Sequence, residues 1–314
     1  MGRLDLPVAH GSGAPGAVAA APSVPLQSLD ELWFQVSGTI CNLRCRHCFI
    51  SCAPENHSAW FMTREEVGAA LEESRGLAVK DYYFTGGEPF MNREIEGILE
   101  DALALGPATV LTNATLIPAR RARALAELSK GSRYTLELRV SLDGFSSETN
   151  DPIRGEGTFE RCMEGVTELV AAGFLPIVSC MQSWPDRETE ATLESFRTLL
   201  ASVGYDRPRI KILPPLRIGE EAKRTRAYDE TEHVTHEMLH GYDLSQLLCT
   251  RARLVTARGV YACPILLESP AARLGETLRE AVSREALLAE SACFTCYVSG
   301  AICSNVSPTL GRDR

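Results

Sequence analysis

From residue 31 onward, short β-rich runs alternate along the chain with stretches whose apolar residues recur at helical spacing. Strands are predicted at 32–36, 81–85, 108–112, 135–142, 175–181 and 209–213. Between them lie helices beginning near Thr63 and covering about 93–105, 118–129, 158–172 and 188–203. Thr63 is placed as an N-cap with Glu66 three residues on, the pattern of a capping box. Six βα units in succession imply a parallel sheet with right-handed crossovers. The fold class is therefore α/β. Six units suit a partial, open (βα)6 TIM-like barrel over residues 29–219 better than a closed eight-stranded one.

After Pro214-Pro215 the rhythm stops. Residues 220–247 read as a polar helical linker, and 248–314 as a small second domain. Residues 1–28 are rich in Gly, Ala, Pro and Val and read as a disordered leader. Pro15, Pro22 and Pro25 interrupt the run that would otherwise suggest a signal peptide, and Asp5 occupies the would-be basic region.

Composition narrows the function classes. The net charge of −9 gives no basic stripe for nucleic acid and no attraction to an anionic membrane. No run approaches the ~18 apolar residues of a membrane span. Eleven cysteines fall in clusters. An odd count without an export signal favours metal or cluster ligation in the cytoplasm over a disulfide framework.

The strongest motif is Cys41-Asn-Leu-Arg-Cys45-Arg-His-Cys48, in the loop after the first strand. A [4Fe–4S] cluster ordinarily takes four cysteines. Three leave one iron open, as a catalytic metal keeps one position free. With Phe49 following, this spacing resembles the radical S-adenosylmethionine (SAM) superfamily, whose open iron chelates the amino and carboxylate groups of SAM. Later strand ends fit the resemblance in family order. Gly86, Gly87 and Glu88 match the motif that holds the SAM amino group. Thr112-Asn113 matches a Thr-Asn-Gly motif, with Ala114 in place of Gly. Ser141-Leu-Asp143-Gly144 matches a Ser-Leu-Asp-Gly motif that contacts the ribose or carboxylate. Asp151 and Arg154-Gly155 match a further stretch, with Arg154 a candidate carboxylate partner. Pro214 to Arg217 is a candidate wall for adenine or substrate.

Five more cysteines follow. Cys249, Gly259 and Cys263 are spaced as a hairpin, and Cys293-Phe-Thr-Cys296 and Cys303 come later. The pattern resembles the auxiliary-cluster module of the SPASM/twitch subfamily in its short, single-cluster form. One cluster needs four thiolates, so one cysteine is spare. One arrangement uses Cys263, Cys293, Cys296 and Cys303 and leaves Cys249 as a free thiol at the barrel mouth, able to return a hydrogen atom to a substrate radical as in radical SAM epimerases. Analogy with the twitch hairpin instead makes Cys249 a ligand. A structural zinc site on Cys293 and Cys296 is the alternative.

The remaining signals are blander. Cys52 is expected to pack near the first cluster, and Cys162 and Cys180 to be buried as small hydrophobes. His236-Glu237-Met-Leu-His240 fits a zinc-peptidase motif, but without a third ligand it reads as a solvated helix face. The resemblance implies two [4Fe–4S] clusters and SAM as cofactors, and an electron donor such as flavodoxin or ferredoxin. The expected substrate is a small molecule, an amino-sugar or aminoglycoside carbon being epimerised. Dehydrogenation of an aminocyclitol is the second reading and maturation of a ribosomal peptide the third. The non-catalytic alternative is an iron–sulfur scaffold or sensor.

Overall fold

A computed structural model describes residues 21–305. Its main sheet has nine strands: β2 (Glu31–Gln35), β3 (Asp81–Thr85), β4 (Ala108–Thr112), β5 (Leu136–Ser141), β6 (Ile177–Met181), β7 (Arg209–Leu213), β8 (Ala252–Thr256), β9 (Gly259–Tyr261) and β10 (Arg273–Gly275). The spatial order is β10-β9-β8-β2-β3-β4-β5-β6-β7. The strands from β8 through β7 in that order pair in parallel, and β9 and β10 add antiparallel strands at one end. β7 and β10 are the two edges, so the sheet is open.

The predicted helices form between the strands: α1 (Arg64–Glu73), α2 (Ile95–Leu103), α3 (Ala119–Gly131), α5 (Thr158–Ala171) and α6 (Thr189–Ala201). Thr63 and Glu66 close the capping box ahead of α1. In α2, Ile95, Ile98, Leu99 and Ala102 are buried at the spacing of one helical face. Along the parallel strands alternate side chains diverge. On β2, Leu32 and Phe34 are fully buried, whereas Trp33 and Gln35 line a cavity on the other face of the sheet. On β5, Arg139 and Ser141 line it and Leu138 and Val140 pack away. Trp33 stacks on Tyr83 with ring centroids 4.1 Å apart. α4 (Ser147–Arg154), which contains Pro152, has no counterpart in the sequence reading.

Three expectations are corrected. Residues 21–28, placed in the disordered leader, are part of the fold: β1 (Ser23–Val24) pairs with β11 (Ala286–Leu287), and the Gln27 N–H donates to the Thr250 carbonyl at 2.6 Å. Residues 1–20 lie outside the described residues. The linker 220–247 is not α-helical; it holds two short 3-10 turns, Glu221–Lys223 and Leu244–Gln246. Asp229 accepts from the Thr231 N–H and hydroxyl, and Asp243 does the same for Ser245. Such local bonds offer the backbone an alternative to a helix. His236 and His240 are exposed in this turn region. Finally, the small second domain expected over 248–314 is not separate from the first, because its strand β8 extends the main sheet along β2. Gly259 sits at φ +104° in that hairpin, and an added Cβ would meet the Gly275 carbonyl oxygen at 2.5 Å. α7 (Leu278–Val282) and α8 (Ser291–Ser299) complete the described chain.

Candidate active site

The cavity lies where the parallel strands end, the usual place for chemistry in such sheets. Its volume is about 210 Å³. Cys41, Cys45 and Cys48 all line it. The loop that carries them is fastened on several sides. The Arg46 N–H donates to the Ile153 carbonyl at 2.8 Å, at the end of α4, and the Glu220 N–H to the Cys48 carbonyl at 3.0 Å. Asn42 donates to Thr115 Oγ1 at 2.8 Å.

Gly86 and Gly87 line the cavity, but their reason for being glycine lies behind it. A Cβ on Gly86 would meet Ser37 Oγ at 2.0 Å, and one on Gly87 the Ile40 carbonyl oxygen at 2.1 Å. The glycines let this strand-end turn press against the start of the cysteine loop. Glu88, expected to receive a ligand ammonium, is fully buried and does not line the cavity. Its Oε1 accepts from the Phe90 N–H at 3.1 Å and from Thr112 Oγ1 at 2.8 Å, and its Oε2 from the Asn113 N–H at 2.7 Å. Burial raises its pKa. Glu88 therefore ties the end of β3 to the end of β4.

Asn113 lines the cavity, and its Nδ2 lies 3.8 Å from Cys41 Sγ and 3.0 Å from Asn42 Oδ1. Ala114 adopts the left-handed φ of +59°, which accounts for glycine at this place in the family motif. Ser141 lines the cavity at the end of β5.

Asp143 is a hub. Its Oδ2 is 2.6 Å from Arg154 Nε and 2.7 Å from His47 Nε2, and its Oδ1 accepts the Met181 N–H at 2.7 Å. Burial alone would push this carboxyl up, but the Arg154 and His47 side chains hold it well below the usual carboxylate range. Asp143 is thus already spoken for by the protein, and Arg154 is positioned by it at the cavity wall. Asp151 accepts from the Gly157 and Phe159 N–H groups at 2.8 Å each, which makes it a cap of the 151–159 turn. Pro214 and Leu216 line the cavity; Arg217 instead stacks on Tyr228 and pairs with Glu232.

Burial pushes the thiols of Cys41 and Cys45 up to about 12 and about 11. Cys48 is lowered, chiefly by a hydrogen bond from Cys52, which lines the same cavity. Among the described residues no three His, Cys, Asp or Glu side chains are gathered closely enough to hold a single metal ion, and the two cysteine sets are defined by the cavity each lines. Soft thiols at the open end of the sheet are the donor set of an iron–sulfur cluster. The first set fits that group.

Of the two arrangements of the later cysteines left open by the sequence, the pocket linings match the one in which Cys249 joins the set. Cys249, Cys263, Cys293 and Cys296 line one small, apolar pocket. Cys303 is not in it and lines the main cavity instead. The reason is the path of residues 301–305, which cross the starts of the parallel strands. The Asn305 N–H donates to Tyr83 Oη at 3.2 Å, and its Nδ2 to Thr109 Oγ1 and Glu137 Oε2 at 3.1 Å each. Arg139 donates to the Cys303 carbonyl and Lys211 to that of Ser304. Spacing alone carried no sign that Cys303 would enter the barrel side of the sheet while Cys249 stayed outside it.

Comparison with known proteins agrees with the geometry. Residues 36–200 match the family model described as the radical SAM superfamily. The chain is 30% identical over 179 residues to the AdoMet-dependent heme synthase of Oleidesulfovibrio alaskensis, covering 52% of this chain and 44% of that protein. It is 28% identical over 166 residues to the mycofactocin maturase MftC of Mycobacterium tuberculosis, covering 52% and 40%. The match therefore spans less than half the length of either relative. The crystal structure of SuiB from Streptococcus suis bound to S-adenosylmethionine shares the fold, with a TM-score of 0.61 at 17% identity over 78% of this chain and 63% of that one. A [4Fe–4S] cluster and SAM are the cofactors of the family that matches. A cysteine triad beside glycine, asparagine, serine and arginine at successive strand ends, with a family match over more than half of the chain, makes this protein a member of the radical SAM superfamily.

Proposed function

We propose that Cys41, Cys45 and Cys48 hold a [4Fe–4S] cluster in the main cavity, that SAM occupies the open iron, and that the enzyme removes a hydrogen atom from a C–H bond of a small molecule. The observation that carries this reading is the convergence on one cavity of the three thiols with Asn113, Ser141 and Arg154. When bound, the cluster and SAM supply a one-electron cleavage to methionine and a 5′-deoxyadenosyl radical. The protein binds and aims. Gly86 and Gly87 bring the backbone close to the cluster loop, and the Asn113 amide points its N–H toward the Cys41 sulfur. Arg154, fixed by Asp143, offers its remaining N–H groups to the SAM carboxylate, and Ser141 offers a hydroxyl to the ribose. The parallel order of the strands from β8 through β7 supports reading the sheet as the partial barrel of this family.

A second [4Fe–4S] cluster fits Cys249, Cys263, Cys293 and Cys296, as in the short twitch form. Cys303 is then the spare thiol, in the cavity where a substrate radical would form. In the epimerase reading Cys303 replaces Cys249 as donor. Its S–H hydrogen passes to the substrate carbon, leaving a thiyl. One electron from a flavodoxin- or ferredoxin-type donor and one solvent proton restore the thiol. An amino-sugar or cyclitol would present ring hydroxyl oxygens to the cavity's donors. Its amines would point to the mouth, since Asp143 is the only carboxyl lining the cavity among the described residues and is already paired. The runner-up is a peptide maturase, favoured by the similarity to a mycofactocin maturase.

The test is anaerobic turnover in deuterium oxide with candidate amino-sugars and cyclitols. The epimerase reading expects one deuterium at an inverted carbon, and a Cys303→Ala variant that still forms 5′-deoxyadenosine and stalls. A product oxidised by two electrons without solvent deuterium removes the epimerase reading and favours dehydrogenation.

A further inference from the structure

The main cavity contains a cation that the reading above does not use. Arg139 lies two residues before Ser141 on β5, so both side chains leave the same face of the strand, and both line the cavity. Arg139 is only 3% exposed. Its Nη1 donates to the Cys303 carbonyl, its Nε has no hydrogen-bond partner, and no carboxylate among the described residues lies within ion-pair distance of it.

The other buried arginines show how this chain ordinarily satisfies the group. Arg154 has Asp143. Arg253 spends its guanidinium on the carbonyls of Ala281, Cys249, Ala252 and Arg284. A guanidinium cannot shed its proton in a protein, and a buried one without countercharge is costly. Arg139 is buried and the cavity it lines also has Trp33, Leu111, Leu213 and Ile302 in its walls, so an ion pair formed there would be weakly screened. Gln35 supplies the complementary need. It is fully buried, lines the same cavity, gives its Nε2 to the Gly38 carbonyl at 2.9 Å and leaves its Oε1 without a partner.

We infer that Arg139 is the anchor for a carboxylate of the substrate, with Gln35 Oε1 accepting an N–H or O–H from the same molecule. This deepens the proposed function and rests on the cavity being its substrate site. It narrows the expected small molecule to one that carries an acid group, such as a sugar acid or an amino acid. Arg139 serves substrate and Arg154 serves SAM, two arginines lining one cavity with separate tasks.

The probe is benzoate, with benzyl alcohol as the uncharged control, titrated into anaerobic, cluster-loaded full chain with SAM and followed by ligand-observed NMR. Benzoate is expected to bind and benzyl alcohol to bind far more weakly. Arg139→Gln is expected to weaken benzoate about thirtyfold or more and Arg139→Lys less, while SAM still perturbs the cluster spectrum at the same concentration. Equal binding of acid and alcohol, or benzoate affinity unchanged in Arg139→Gln, overturns the assignment. So does a parallel loss of SAM affinity, which would make Arg139 a SAM ligand. Should the variants not fold, the wild type is treated with phenylglyoxal with and without benzoate, and modified arginines are mapped by mass spectrometry. Protection of Arg139 supports the anchor, and protection confined to other arginines or absent altogether overturns it. A cluster spectrum that ignores SAM in the wild type would instead remove the functional reading itself.

Discussion

Replacing Asp143 by Asn keeps the shape of the side chain and removes its charge. In the wild type that carboxylate is within 2.7 Å of two cationic or hydrogen-bonding side chains, Arg154 and His47, and of one backbone N–H, that of Met181. Both Asp143 and Arg154 are buried, so the substitution leaves a guanidinium inside the protein without its partner. Breaking a buried pair in this way costs about 3–5 kcal/mol. In a chain of this size that corresponds to a fall in melting temperature of roughly 5–8 °C. The assay is thermal and guanidinium unfolding of cluster-free protein, with Arg154→Met and the double variant completing a cycle. Removing both charges should cost less than the sum of the single changes, by about 2–3 kcal/mol. The pH dependence has a definite sign. The folded pKa of Asp143 lies below its unfolded value of about 3.9. Its contribution is therefore present above that value and disappears as pH falls through the folded pKa. The difference between wild type and Asp143→Asn should stay level from about pH 8 to about pH 5 and shrink below about pH 4. A loss under about 1 kcal/mol, or strict additivity in the cycle, would refute the hub.

Iron content separates the two arrangements of the later cysteines: Cys249→Ala should fall from about eight to about four irons per chain, while Cys303→Ala should keep about eight. Gly87→Ala puts a methyl group 2.1 Å from the Ile40 carbonyl oxygen; it should lower stability by about 2 kcal/mol or more and reduce loading of the first cluster, both read by melting and iron assay. Asp81 is pushed up to about 7, mainly by burial. It binds a proton in the folded state that the unfolded chain releases near pH 4, so stability should decline as pH rises from about 4 to about 7; Asp81→Asn should flatten that decline in unfolding experiments at stepped pH.

Much of the fold was legible because β-rich runs alternate with amphipathic helices, the first of which opens on a capping box. Asp81–Thr85, Ala108–Thr112 and Arg209–Leu213 form where the residue pattern puts them. Other features depend on contacts that one-dimensional pattern does not carry. Pro152 hid α4, whose last residue, Arg154, completes the Asp143 hub. The polar segment 220–247 has helix-compatible composition, but Asp229 and Asp243 fold it into turns. Gly86, Gly87 and Glu88 stood out as a ligand-binding signal; that their packing and hydrogen bonds also join β3, β4 and the cysteine loop depends on tertiary contacts. Which of Cys249 and Cys303 lines the main cavity depends on topology: β8 joins the sheet beside β2, and residues 301–305 return across the strand starts, which brings Cys303 to that cavity. Arg139 went unnoticed since an arginine inside a strand looks like any exposed polar residue until its burial is known.

The central claim is that Cys41, Cys45 and Cys48 leave one iron free for SAM. Low-temperature electron paramagnetic resonance of anaerobically reconstituted, reduced protein tests it directly, in the wild type and in Cys45→Ala. Wild type should show a reduced cluster signal that shifts when SAM is added, and the variant should keep only a signal that SAM leaves unmoved. A wild-type spectrum indifferent to SAM, or a SAM-dependent shift that survives in Cys45→Ala, would contradict the account.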